Sequence, residues 1–68
     1  MFKVEKIVNY DTYHSYGTDW HTDYYIKTDE EHTINSLFER LKALNYSPYG
    51  DITVEKTQDG YIYKSRMY

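Results

Sequence analysis

The sequence predicts an α+β domain in which one helix packs on one face of a small β-sheet. One segment, at about 29–44, has apolar residues at the three- and four-residue spacing of an amphipathic helix. The segments before and after it are rich in β-branched and aromatic residues, and each contains turn residues where a hairpin would fold back. The predicted element order is therefore ββαββ, in a single domain over residues 1–68.

The helix is predicted from its apolar stripe and from its start signal. Thr28 and Glu31 have the spacing of a capping box, and the acidic residues 29–31 would place negative charge at the positive end of the helix dipole. Asn45 follows the stripe and is predicted to end the helix in a left-handed conformation. The stripe itself consists of Ile34, Leu37, Phe38, Leu41 and Leu44.

The first hairpin is predicted from strands at 2–10 and 21–28, with its tip at 11–20. Within the tip, Gly17 is the residue free to adopt a positive φ. The alternation of the first strand fails near Lys6. Either a bulge lies there, or Ile7 is an apolar residue on the outer face.

The second hairpin is predicted to turn at Asp59 and Gly60, which would place Val54 opposite Ser65 and Glu55 opposite Lys64. The first and last strands are the less polar ones and are predicted to lie in the middle, giving a four-stranded sheet of order 2-1-4-3 with strands 1 and 4 parallel. This arrangement is similar to that of β-grasp and protein G-type domains, a resemblance that rests on topology alone.

Composition narrows the class of protein. The chain has no cysteine, so it has neither disulfides nor thiolate metal ligands, and its first ten residues carry charge within their apolar pattern, unlike a signal peptide or a spanning helix. The excess of tyrosine suits an AT-rich genome such as that of a low-GC bacterium or its phages. We therefore expect a cytoplasmic protein of a bacterial host cell, with no membrane association.

Metal binding and catalysis are not predicted. Asp19, His21 and Asp23 alternate along a strand, with His14 across the hairpin, but no CxxC or HExxH spacing accompanies them, and solvated polar residues are the simpler interpretation. No paired acid and base residues suggest a cleft with shifted pKa values. We expect no metal, no cofactor and no enzymatic activity.

Charge and aromatic residues concentrate in the same part of the chain. Residues 11–31 hold six carboxylates against Lys27, a net charge of −5, whereas the whole chain carries −3. Rigid tyrosine and tryptophan side chains among carboxylates are typical of a surface that binds a basic partner. The alternative without a binding role is that the codon bias of an AT-rich genome scatters tyrosine over an ordinary acidic surface.

The leading hypothesis is a small non-catalytic protein-binding module, an inhibitor encoded by a phage or mobile element. It would occupy a basic site on a larger protein that handles nucleic acid or serves in defence. The predicted partner-binding residues are Asp11, Tyr13, Tyr16, Asp19, Trp20, Asp23, Tyr25 and Glu30.

Two alternatives remain at this stage. Weak binding of single-stranded nucleic acid would use tyrosine stacking, but the aromatic residues lie in the most negative segment, so nucleic acid is not the expected partner. A structural, self-associating protein would form a homodimer through the outer sheet face, at Ile7, Tyr25 and Ile62, or through edge strands 2 and 3.

Overall fold

The structure, a computed structural model that describes residues 1–68, is a four-stranded antiparallel sheet with one helix packed on one face. The strands pair in the order β1-β2-β4-β3. The predicted α+β class, the element order and the packing of a single helix on the sheet are confirmed. The elements are β1 (Phe2–His14), β2 (Gly17–Thr28), α1 (Ile34–Ala43), β3 (Asp51–Lys56) and β4 (Gly60–Met67).

The predicted strand order, 2-1-4-3, is wrong. β2 pairs with both β1 and β4, and every pairing is antiparallel, so the likeness to β-grasp and protein G-type domains does not hold. The polarity of β2 suggested an edge strand, yet its polar residues face complementary groups on the next strand, with Asp23 opposite Lys64. The two edges of the sheet are therefore β1 and β3.

The first hairpin is longer and more regular than predicted. Its ladder runs from the pair Phe2–Thr28 to the pair His14–Gly17, and only two residues, 15 and 16, form the turn. β4 pairs with β2 no further toward the tip than Trp20, so residues 12–19 form a two-stranded ribbon beyond the rest of the sheet. We call residues 11–20 the hairpin arm. The molecule is accordingly elongated, 41 × 23 × 18 Å.

The register of the first hairpin shifts between Val4 and Lys6, which makes Glu5 a bulge. Of the two alternatives left open by the sequence, the bulge is therefore confirmed. Ile7 pairs with Tyr24, so it lies on the helix side of the sheet and not on the outer face.

The second hairpin turns one residue earlier than predicted. The N–H of Thr57 donates to the carbonyl of Gly60 at 2.8 Å, so the two turn residues are 58 and 59, and Val54 lies opposite Tyr63. A Cβ on Gly60 would collide with the backbone carbonyl of Ile26, which shows that close approach to β2, not the turn, requires this glycine. Because the register error is two residues, every side chain keeps its predicted face.

The helix begins five residues later than the sequence suggested. Thr33 is its N-cap, and Thr33 and Ser36 form a reciprocal capping box. The predicted box of Thr28 and Glu31 is wrong, since the Thr28 hydroxyl instead accepts from the N–H of Glu30 at 3.1 Å. At the other end the prediction is confirmed, because Asn45 has a positive φ of 71°.

The hydrophobic core lies between the helix and the half of the sheet farthest from the arm. Leu37, Leu41 and Tyr63 are fully buried, whereas Ile34 and Leu44, which the sequence placed in the same stripe, are half-exposed. The remaining buried core residues are Tyr24, Ile26 and Tyr61, and the partly buried ones packed against them are Phe2, Val4, Phe38, Tyr46, Ile52 and Val54.

Candidate partner-binding surface

Three aromatic side chains of the hairpin arm lie in solvent. Tyr16 is 94% exposed, Tyr13 80% and Trp20 54%. Tyr16 occupies the turn, and Tyr13 and Trp20 lie on the helix side of the ribbon, beyond the reach of the helix. None of the three belongs to the core cluster or packs against it, so their exposed apolar areas add nothing to the core.

A carboxylate lies among these rings. Asp11 is directly opposite Trp20 on the adjacent strand and two residues from Tyr13 on the same face. A hydrogen bond to Asp11 and the negative charge of its carboxylate raise the pKa of the Tyr13 phenol above its usual value. We call Asp11, Tyr13, Tyr16 and Trp20 the arm surface. It combines three rings with one carboxylate that forms no ion pair.

The turn that carries Tyr16 is held by a histidine. The N–H of Tyr16 donates to Nδ1 of His14 at 3.1 Å, so His14 carries its proton on Nε2, which lies 3.0 Å from a carboxylate oxygen of Asp19. Arg66 Nε approaches the other oxygen of Asp19 at 3.4 Å. This chain of contacts ties the end of the arm back to β4.

A shallow groove borders the arm surface at its base. Trp20 is opposite Met67 of β4, and the segment between α1 and β3 brings Pro48 and the exposed ring of Tyr49 beside them. The hydroxyl of Ser65 donates to the carbonyl of Tyr49 and fixes this segment. Sequence reasoning missed Tyr49 and Met67. Pairing β4 with β2 would have placed Met67 beside Trp20, but no pattern in the sequence pointed to Tyr49.

Three other predicted site residues lie on the outer face, where they contact their own chain. Asp19 is only 8% exposed and Asp23 only 6%. Burial, followed by the charge of Asp23 and a hydrogen bond to it, raises the pKa of the Tyr10 phenol. Tyr25 is partly buried, with the Lys6 ammonium 4.6 Å from its ring centroid.

The last predicted residue, Glu30, is at the opposite end of the molecule. It follows the end of β2 that pairs with the start of β1, ten residues from Trp20, or roughly 30 Å along a strand. Its carboxylate accepts from His32 at 3.1 Å and from Arg40 at 3.4 Å. The eight predicted residues thus lie in three places: Asp11, Tyr13, Tyr16 and Trp20 share the arm surface, the outer face holds three others, and Glu30 is at the far end.

Part of the negative charge of residues 11–31 is neutralised in the folded structure by cationic groups close to the carboxylates. Three of its six carboxylates form an ion pair: Asp19 with Arg66, Glu30 with Arg40, and Asp29 with the N-terminal amine. Asp23 lies opposite Lys64 in the sheet, but the Lys64 ammonium contacts Glu55. The N-terminal amine also lowers the pKa of Asp29. Asp11, Asp23 and Glu31 form no ion pair. Asp23 is buried on the outer face, so the arm surface owes its negative character to Asp11.

No group of three or more histidine and acidic side chains is placed to hold a metal ion. The structure has no helix with both the length and the apolar character needed to cross a bilayer. Comparisons of the chain with protein-family models, with curated proteins and with solved structures found no match.

Proposed function

We propose that this protein is a small non-catalytic binding module that inhibits a larger protein by placing its hairpin arm on a basic site. One observation carries the proposal: Tyr13, Tyr16 and Trp20 are exposed on an arm that contributes nothing to the hydrophobic core. Exposed rings of this kind supply large contact areas, and tyrosine and tryptophan dominate the energetics of protein interfaces.

The arm is also arranged to bind with little loss of conformational freedom. The strand ladder continues to His14 and Gly17, and the bonds of His14 to the Tyr16 N–H and to Asp19 restrain the turn. Tyrosine and tryptophan side chains have only two χ angles to immobilise. A rigid arm with rigid rings keeps the entropic cost of association low, which suits a tight inhibitor.

The chemistry of the proposed target follows from Asp11 and from the net charge. A carboxylate between two rings would meet a lysine or arginine of the partner, and a chain with a net charge of −3 is attracted to a positive surface. Enzymes that act on nucleic acid have such surfaces in their substrate channels. We propose a bacterial nucleic-acid-handling or defence protein as the target and a phage or mobile element as the source of the inhibitor.

Direct binding of nucleic acid is a poorer explanation of the same residues. The basic side chains near the arm are already engaged, Arg66 with Asp19 and Lys64 with Glu55. A stacking platform for bases requires a positive groove beside its rings. The arm surface instead has Asp11 beside its rings.

Affinity capture tests the proposal. The tagged protein would be used to capture a partner from a low-GC bacterial lysate, and the purified pair would then be titrated. Tyr16→Ala and Trp20→Ala should each weaken binding at least fivefold, a loss of about 1 kcal/mol, because each removes a proposed anchor. Ile34→Ala, a truncation of a half-exposed residue on the helix, serves as the control and should leave the affinity unchanged. Equal affinities for all four proteins would refute the proposal.

Salt dependence tests the electrostatic part separately. The affinity should fall as ionic strength rises, because exposed charges are screened beyond about 10 Å at 0.1 M salt. Asp11→Asn should make that dependence shallower without disturbing the fold, since Asp11 is exposed and has no ion pair. An affinity that does not respond to salt would exclude a basic site as the target.

A further inference from the structure

The part of β1 that leads to the turn, residues 6–14, is a free sheet edge, and its unpaired backbone groups can be identified. His14 and Gly17 flank a two-residue turn, so they form a hydrogen-bonded pair, and such pairs alternate along an antiparallel ladder. From position 6 to position 14 the even-numbered residues therefore bond to β2. The odd-numbered residues direct their N–H and C=O groups away from the sheet; they are Ile7, Asn9, Asp11 and Tyr13.

The opposite side of β2 agrees with this assignment. The N–H of Thr28, an even-numbered residue, donates to the carbonyl of Asp59 at 3.0 Å, toward β4 and away from β1. The even-numbered residues of β2 therefore form their backbone hydrogen bonds with β4, and the odd-numbered residues of β2 form theirs with β1.

This free edge has little of the usual protection. Natural edge strands are blunted by bulges, prolines or charged side chains, lysine above all, and the one charged residue between Lys6 and His14 is Asp11. Here the bulge at Glu5 and the turn at Ser15 lie outside a regular stretch of nine residues, 6–14, which contains no proline or glycine and whose one lysine, Lys6, is at its end. The middle residue of that stretch is Tyr10.

We propose that residues 6–14 pair antiparallel with the same stretch of a second copy, about a twofold axis at Tyr10, to form a continuous eight-stranded sheet. In this register Ile7 lies opposite Tyr13 of the partner subunit, and Asn9 lies opposite Asp11 of the partner subunit. An apolar residue then meets an aromatic ring and an amide meets a carboxylate, both favourable cross-strand pairs. Four pairs of outward-facing residues would exchange about eight hydrogen bonds.

The neighbouring registers are less favourable. An axis at Asn9 would place Ile7 against the carboxylate of Asp11, and an axis at Asp11 would place two carboxylates face to face. An axis between two residues would oppose outward-facing with inward-facing backbone groups. The register centred on Tyr10 also brings Lys6 beside His14, and so near the Asp19 carboxylate that His14 contacts.

Dimerisation of this kind affects the geometry of the proposed inhibitor, because two residues of the arm surface, Asp11 and Tyr13, would lie opposite the partner's Asn9 and the partner's Ile7. A twofold axis perpendicular to the sheet keeps both helices, and both arm surfaces, on the same side of the assembly. A target with two basic sites on one face would then meet two arms at once, and the second contact would be made at a high effective concentration.

Cysteine cross-linking tests the register. Because the chain has no native cysteine, an introduced cysteine can form a disulfide only with the same residue of a second copy. Tyr10→Cys, Asn9→Cys and Asp11→Cys would each be oxidised mildly as purified full-length protein. Residues on the axis form a non-hydrogen-bonded pair about 4.5 Å apart at Cα, within the range for a disulfide, whereas residues one step away are more than about 7 Å from their own copies. Tyr10→Cys should therefore cross-link at least tenfold faster than the other two. A faster reaction at position 9 or 11, or equal rates, would overturn the proposal.

A proline at the free edge tests the interface itself. Asn9→Pro removes an N–H that bonds only to the second copy, whereas Asn9→Ala keeps that N–H and loses the same side-chain bond to Thr22. Light scattering should give twice the 8.3 kDa chain mass for the wild type and for Asn9→Ala, and a single chain mass for Asn9→Pro. Circular dichroism would show that the proline variant is folded. A wild-type protein that stays monomeric at millimolar concentration would refute the dimer.

Discussion

Tyr61 and Tyr63 are neighbours on the same face of β4, and both are buried in the core, but their hydroxyl groups differ. The Tyr61 hydroxyl accepts a hydrogen bond from the backbone N–H of His32 at 2.9 Å and so helps to hold the segment before the helix. The Tyr63 hydroxyl is buried without a partner. A buried polar group with no hydrogen bond costs free energy, whereas one that is bonded does not.

This difference makes opposite predictions for two identical substitutions. Tyr63→Phe should raise the free energy of unfolding by about 1 kcal/mol, because it removes an unsatisfied hydroxyl. Tyr61→Phe should lower it by about 1–2 kcal/mol, because it leaves the His32 N–H without its acceptor. Urea denaturation of the two variants and the wild type measures both effects. A loss of stability in Tyr63→Phe as large as that in Tyr61→Phe would contradict the assignment.

The tyrosines also show what a sequence reveals about single residues. The small core predicts that several of the ten phenols must be exposed, and five are: Tyr10, Tyr13, Tyr16, Tyr49 and Tyr68. Which residues these are depends on neighbours that pattern alone does not provide. Asp19 and Asp23 look like solvent-facing carboxylates in the sequence, yet both are buried; Asp19 contacts His14 and Arg66, and Asp23 lies opposite Lys64.

The N-cap of helix α1 can be tested by substitution. Thr33→Ala should lower the free energy of unfolding by about 1 kcal/mol, since it removes the side-chain half of the capping box with Ser36. Glu31→Ala should change it by less than about 0.5 kcal/mol, because Glu31 lies before the cap and is exposed. Thermal or urea unfolding checks both variants. If Glu31→Ala were the more damaging change, the helix would begin where the sequence first suggested.

The elements were easier to predict than their order. Periodicity identified all four strands and the helix, because burial of one face imposes a period on each element. It could not identify the centre of the sheet. β2 is polar, and a central strand was expected to be apolar. On the outer face of this sheet, however, Asp23 lies opposite Lys64, and Asp19 forms an ion pair with Arg66. Those complementary charges were the available signal for pairing β2 with β4.

The stability of the whole fold should depend on alkaline pH. Burial raises the pKa of Tyr24 and of Tyr63 above the ordinary tyrosine value. Because the folded-state pKa exceeds the unfolded one, their contribution to stability is fully present below about pH 10 and is lost as the pH rises through the folded-state pKa. The molecule should therefore unfold cooperatively in alkali, after the exposed phenols have ionised.

Ultraviolet titration of tyrosinate, followed together with circular dichroism, measures this behaviour. The exposed phenols should ionise reversibly with the fold intact, and the buried ones only as the fold is lost. In Tyr63→Phe the loss of stability between about pH 9 and pH 11 should be smaller, because one of the two core phenols whose pKa is raised by burial is gone. A single smooth titration of all phenols without unfolding would show that Tyr24 and Tyr63 are open to solvent.

The two-stranded ribbon at residues 12–19 has a consequence for how this protein can change over time. It has no third strand and adds no residue to the core, so its length and sequence are almost free of the demands that hold the scaffold together. A lineage could exchange this tip for another and acquire a new target while the domain beneath stays the same. Divergence among descendants should therefore concentrate at the tip and spare Leu37, Leu41 and Tyr63.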